Sequence, residues 1–178
     1  MMNLNALALP AAAAVAVVGM GVATPAHAQV SEIQRVGVSS LNHATGNTAG
    51  ASAMQRPVDT TKTSAKFGQA GSNWSSGHHT GLDFVAPVGA KVYAAQAGKV
   101  VEAGTAGAYG NSIVIDHGHG LKTRYAHLSK IDVKVGQKVT VHQLIGLVGA
   151  TGNVTGPHLH FEVIKKGTPV DPQKYLVN

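Results

Sequence analysis

The chain has 178 residues, enough for one ordinary domain with an additional segment. It holds no cysteine, which excludes disulfide staples, thiolate ligands and a cysteine nucleophile. The formal charge of +6 favours an anionic polymer as partner, but not nucleic acid: Lys and Arg are scattered, and aromatics at 4% leave little to stack on bases.

Residues 6–22 are almost wholly apolar, and Ala26-His27-Ala28 follows as a small-x-small site. The pattern predicts a secretory signal peptide over residues 1–28, cleaved after Ala28. It departs from the usual form in one respect: no Lys or Arg precedes Arg35. An apolar run of about 17 residues, several of them Ala and Gly, is short for a membrane span. The expectation is therefore a secreted product, extracellular or wall-associated (periplasmic in a Gram-negative source), with no stable membrane insertion after cleavage. Residues 29–66 are dominated by Ser, Thr, Ala, Gly and Asn without a period of 2 or 3.6. They read as a disordered linker or propeptide.

From Phe67 the composition changes, and residues 67–178 read as the folded domain. Short apolar runs separated by Gly-containing turns predict strands at 91–94, 98–102, 111–116, 122–127, 137–140, 144–148 and 159–165. Such spacing with no long amphipathic helix predicts an all-β fold, an antiparallel sandwich or partly open barrel with a substrate groove. Ile113, Val114 and Ile115 alternate faces yet are all apolar, so that strand is covered on both sides.

The chemistry concentrates in histidines. His158 and His160, spaced i, i+2 on a strand, face one way while Leu159 packs behind them. Upstream, His79 and Asp83 stand four apart. Two imidazoles and one carboxylate with room for a water make up the donor set of a catalytic zinc site. His78 and His79 cannot both reach one ion, and the spacing to Asp83 favours His79. Apolar neighbours Leu82, Phe84 and Val85 bury Asp83, and a buried carboxylate requires a metal, a partner or a proton. His127 ends a strand and joins the set only as a further candidate beside the others. Glu162 continues the His158–His160 face, either orienting a ligand imidazole or lying as a surface carboxylate at the strand end. His117 and His119 read as turn chemistry around Gly118, and His142 as a surface residue.

These residues carry a resemblance. Gly77-His78-His79-Thr80-Gly81-Leu82-Asp83-Phe84 with Ala86-Pro87-Val88-Gly89, then Tyr125-Ala126-His127-Leu128-Ser129, then Thr151-Gly152-Asn153 with Gly156-Pro157-His158-Leu159-His160-Phe161 appear in that order. Together they resemble the lysostaphin/LytM-type zinc endopeptidases that cut peptide bonds in bacterial peptidoglycan. The resemblance implies one zinc ion on His79, Asp83 and His160, with catalytic histidines at His127 and His158. It implies a peptidoglycan peptide as substrate, a monomer, and Asn111 as a strand-entry residue rather than a ligand. In the chemistry it suggests, His158 serves as general base or orients the water, while His127 stabilises the oxyanion or donates to the leaving amine. No His-Glu-x-x-His helix is present to supply a glutamate base. A catalytically inactive wall-binding or hydrolase-regulating relative is the rival, but such a domain is expected to lack ligands that are all present here. Some relatives are held latent by an upstream asparagine on the metal, and Asn42 and Asn47 are available for that role, though a plain linker explains the segment equally well.

Overall fold

Among the described residues ten antiparallel strands form, the longer ones where apolar and β-branched runs stand between glycine-bearing turns. The computed structural model describes residues 53–72, 74 and 76–177. The expected signal peptide, residues 29–52, Asn42 and Asn47 lie outside the described residues. The strands are β1 (Thr63–Ala65), β2 (Leu82–Val85), β3 (Lys91–Tyr93), β4 (Gly98–Thr105) and β5 (Asn111–Gly118). They continue with β6 (Leu121–Ile131), β7 (Lys138–Val139), β8 (Leu144–Val148), β9 (His158–Lys165) and β10 (Thr168–Val170). Among the described residues the only helical pieces are two 3-10 turns, Gly107–Tyr109 and Pro172–Lys174.

The strands form one sheet in the order β1-β2-β9-β6-β5-β4-β7, which does not close. β10 adds to β9, and β8 links β3 to the far half of β6. The expected all-β, partly open architecture is thus present. All seven expected strands occur, and three short ones, β1, β2 and β10, were not anticipated.

The core follows from strand periodicity. Leu159, Phe161 and Val163 of β9 are buried on one face with Phe84 of β2, Tyr125 of β6, and Ile113 and Ile115 of β5. Burying each such side chain is worth about 1.5–3 kcal/mol. Val114 is buried on the opposite face, as the all-apolar run predicts. The other β9 face, with His158, His160 and Glu162, is left for chemistry.

One boundary is corrected. Residues 53–66 belong to the folded domain and not to a disordered linker. Met54 and Val58 are buried in the core, Met54 N–H donates to the Tyr175 carbonyl, and β1 pairs with β2. Two isolated apolar anchors and backbone pairing hold the segment; neither leaves a periodic signal in a Ser/Thr-rich stretch.

Candidate metal centre

Antiparallel register builds the site. β2 pairs with β9 so that Asp83 lies opposite His160 and Val85 opposite His158. His79 precedes β2 and folds back: its N–H donates to the Gln69 carbonyl, and its carbonyl accepts from Gly68 N–H. The result brings His79 Nε2, Asp83 Oδ1 and His160 Nδ1 together. His79 Nε2 lies 3.0 Å from both Asp83 Oδ1 and His160 Nδ1, and the latter two are 2.8 Å apart. All three residues are buried and form a group able to hold a metal ion. His78 is exposed and takes no part.

The donor set fits zinc: two imidazoles and a carboxylate converge, and no fourth protein ligand joins them among the described residues, which leaves a position for solvent. Both ligand rings have their other nitrogen engaged. His79 Nδ1 donates to the Lys66 carbonyl at 3.1 Å, so its proton sits away from the centre. His160 Nε2 lies 3.2 Å from Glu162 Oε1. Trp74 packs against the His79 ring, with centroids 5.0 Å apart.

Electrostatics follow from this crowding. Burial pushes the Asp83 pKa up, but hydrogen bonds from His160 and His79 outweigh it and hold the carboxyl well below its usual range. Burial lowers the His160 pKa, yet carboxylates on both its nitrogens, Asp83 and Glu162, raise it to about 9. Glu162 is fully buried, which removes the surface alternative for this residue. Burial pushes its carboxyl up, and hydrogen bonds from His160 and Thr80 hold it below the usual value.

His127 and His158 line the same site. Their ring centroids are 4.8 Å apart, and His127 lies 5.8 Å from the His160 ring. His158 Nε2 is 3.7 Å from Asp83 Oδ2. Each ring has Nδ1 at 2.8 Å from a backbone carbonyl, Thr151 for His127 and Gly156 for His158. A carbonyl only accepts, so Nδ1 of each ring carries a proton and Nε2 is the nitrogen turned to the site. Burial presses His127 down to about 4, so it is neutral at pH 7.

His127 also has φ +63, a left-handed backbone that is uncommon outside glycine. It sits where β6 leaves β9, after the Ala126–His160 pair, and takes up β8 at Leu128. Strain of this kind costs about 1–3 kcal/mol and clusters at functional positions. Here the switch of partner strand re-aims the ring toward the metal ligands. The sequence shows only a strand-end histidine, because nothing in the residue type codes for the change of partner.

The Thr151 carbonyl that orients His127 is itself fixed. The Thr151 hydroxyl donates to the Leu128 carbonyl at 2.9 Å and accepts from Asn111 N–H at 3.0 Å. Asn111 opens β5 and donates from its side chain to the Leu128 carbonyl, so it holds the loop and is no ligand. Tyr109, in the first 3-10 turn, was not anticipated. Its ring lies 5.7 Å from that of His160, and the Arg124 guanidinium carbon stands 4.3 Å from its centroid.

One histidine departs from expectation, while His119 and His142 lie as expected. His117 belongs to β5 rather than a turn, with Nδ1 donating to the Ala97 carbonyl and Nε2 at 2.8 Å from the Thr123 hydroxyl. That hydroxyl lies 3.0 Å from the Tyr125 hydroxyl, which accepts from Ala95 N–H. His142 is exposed and stacks on Tyr93. His119 sits in the turn after β5, with φ +53.

Residues 77–172 match the family model described as peptidase family M23. Over 96 residues the chain is 53% identical to the peptidoglycan DD-endopeptidase ShyA of Vibrio cholerae, covering 54% of this chain and 22% of that protein. The chain thus spans about a fifth of the length of that curated relative. A zinc-containing peptidase from Vibrio cholerae superposes with TM-score 0.64 at 42% identity, over 71% of this chain and 41% of that one. The catalytic domain of the antimicrobial peptidase lysostaphin from Staphylococcus simulans gives TM-score 0.61 at 38% identity, covering 64% of this chain and 90% of that domain.

Proposed function

Because this chain belongs to peptidase family M23, we propose that it is a zinc-dependent endopeptidase that hydrolyses peptide bonds of bacterial peptidoglycan. The observation that carries the reading is the convergence of His79 Nε2, Asp83 Oδ1 and His160 Nδ1 within 3.0 Å of one another, beside the imidazoles of His127 and His158. The rival, an inactive domain that only binds wall or regulates hydrolases, is disfavoured by the grouping of His127 and His158 beside His79, Asp83 and His160.

Zinc held by His79, Asp83 and His160 would supply Lewis acidity, activating water near neutral pH and polarising the scissile carbonyl. The chain's own residues handle orientation and protons. The lone pair on His158 Nε2, beside Asp83, accepts the proton of the attacking water. His127 with its present proton on Nδ1 has no Nε2–H to offer an oxyanion, so its first role is also that of acceptor. Once its Nε2 has taken the second proton of that water, burial favours release of the proton, which passes to the leaving amine. Thr151 and Gly156 keep both rings turned for this work.

We assign the bond as a D,D peptide cross-link, on the similarity to a relative that bears that name. The signal-like residues 1–28 support action outside the cytoplasmic membrane, on the wall itself. Among the described residues no helix is long and apolar enough to cross a membrane. A monomer suffices, since one chain supplies every site residue. Mass spectrometry of fragments released from purified walls of known cross-link type tests the assignment. Conversion of cross-linked muropeptides to uncross-linked ones by a cut between two D-residues supports it. Cleavage confined to other bonds overturns it.

A further inference from the structure

Glu162 is a buried carboxylate with four donors around it, more than a lone structural ion pair requires. It lies on β9 two residues beyond His160, so strand alternation places both on one face. Oε1 accepts from the Tyr109 hydroxyl at 2.9 Å and from the Thr80 hydroxyl, and faces His160 Nε2 at 3.2 Å. Oε2 accepts from Arg124 Nη1 at 3.3 Å. Arg124 is shared with Glu102 at 3.7 Å and stacks over Tyr109. Burying a charge is expensive unless it is paired and hydrogen-bonded, and here both oxygens are engaged.

The position of Oε1 decides what the carboxylate does. The ring nitrogen that faces His79 and Asp83 is Nδ1, so a metal held there needs the lone pair of Nδ1 and a proton on Nε2. An anionic acceptor at Nε2 fixes that tautomer, holds the ring plane, and makes the imidazole a stronger donor. Tyr109 and Thr80 in turn leave the carboxylate little freedom to swing away. Tyr109 comes from the 3-10 turn whose neighbour Ala108 accepts from Asn153 N–H, in the loop that also carries Thr151. One turn therefore braces both the Glu162 carboxylate and the loop that orients His127.

We propose that Glu162 is the positioning residue of the metal centre, setting the tautomer and angle of His160, and that the Tyr109 hydroxyl locks Glu162 in place. The inference rests on the zinc reading above. It is tested with Glu162→Gln and Tyr109→Phe in the full chain, reading the zinc dissociation constant by chelator competition and the absorption spectrum after cobalt substitution. Gln lacks the anionic acceptor, and its amide cannot satisfy the surrounding donors; Phe keeps the ring under Arg124 and removes only the hydroxyl. Glu162→Gln should weaken zinc binding about 10–100-fold and alter the cobalt spectrum. Tyr109→Phe should shift both in the same direction by less, and it decides the matter should the glutamine variant fail to fold. A purely structural role would lower thermal stability and leave affinity and spectrum untouched, which would overturn the inference. Wild-type chain that takes up no zinc would overturn the metal reading and this inference with it, an outcome distinct from wild-type binding with unchanged variants.

Discussion

Gly110→Ala separates catalytic positioning from metal binding. Gly110 has φ +61, and a Cβ there would fall well under 3.0 Å from the carbonyl carbon, carbonyl oxygen and hydroxyl oxygen of Thr151. Reaching the 3.4 Å at which ordinary contact begins takes a displacement on the order of 1 Å, and two of the three atoms that must give are backbone. The Thr151 carbonyl accepts from His127 Nδ1 at 2.8 Å. Moved that far, the pair no longer forms a hydrogen bond, and His127 loses the group that fixes its tautomer. A misplacement of about 1 Å in a catalytic group costs roughly 100-fold in rate. Left-handed alanine costs about 1–2 kcal/mol and overpacking about 1–3 kcal/mol more, which a stable domain survives. Zinc should stay, because its ligands lie on β2, β9 and the loop before β2. Gly107→Ala is the control: φ is +53 there, but a Cβ meets nothing within 4 Å. It should show the backbone strain alone, with turnover close to wild type. The assay is peptide release from purified peptidoglycan alongside bound zinc and a urea melt. Equal turnover in the two alanine variants, or loss of zinc in Gly110→Ala, would refute the reasoning.

Other perturbations sort the remaining residues. Asp83→Ala and His160→Ala should lose zinc and turnover together and loosen the fold, because metal binding is coupled to folding; metal analysis and circular dichroism read this. His127→Ala and His158→Ala should keep zinc and lose at least about 100-fold in rate, as measured by turnover at saturating zinc. His117 has its pKa lowered below the usual 6.5 by burial, so the unfolded chain binds the extra proton first. Its contribution to stability is therefore present above pH 6.5 and lost as pH falls toward the folded value. His117→Gln keeps a donor for Ala97 and an acceptor for Thr123, and urea melts should show it losing less stability than wild type on acidification, the difference staying below about 1.4 kcal/mol per pH unit. A chain starting at residue 53 should fold and bind zinc like the full one. A chain starting at residue 67 loses Met54, Val58 and the Lys66 carbonyl that anchors His79, and should melt earlier by at least the about 2–5 kcal/mol that one buried Met is worth.

What the sequence disclosed depended on how local each signal was. The longer strands announce themselves through runs such as Asn111–Asp116 and Leu159–Lys165, where β-branched and aromatic residues crowd between glycines. β1 has only Thr63-Ser64-Ala65, and β10 carries Pro169, so neither shows apolar alternation; backbone pairing with β2 and β9 makes them strands. β2 was hidden for another reason. Its Leu82-Asp83-Phe84-Val85 is too short to read as a strand and contains a metal ligand, yet its pairing with β9 sets the whole site. His79, Asp83, His127, His158 and His160 could be singled out because their motifs are dense, and the structure places them together. Tyr109, Thr151 and Lys66 could not. Two of them act through backbone carbonyls, which carry no residue code, and Tyr109 reaches Glu162 across 53 residues from a glycine-rich loop. His117 was misread since Asp116-His117-Gly118 looks like a turn, whereas β5 runs through it to Gly118.

The most direct measurement strips the protein with a chelator, restores zinc in increments, and follows peptide release from purified peptidoglycan against bound metal. Turnover should vanish on stripping and return linearly to its full value at one zinc per chain, with Asp83→Ala failing to recover at the same zinc concentration. Undiminished cleavage by the stripped chain, or full recovery by Asp83→Ala, would contradict the account.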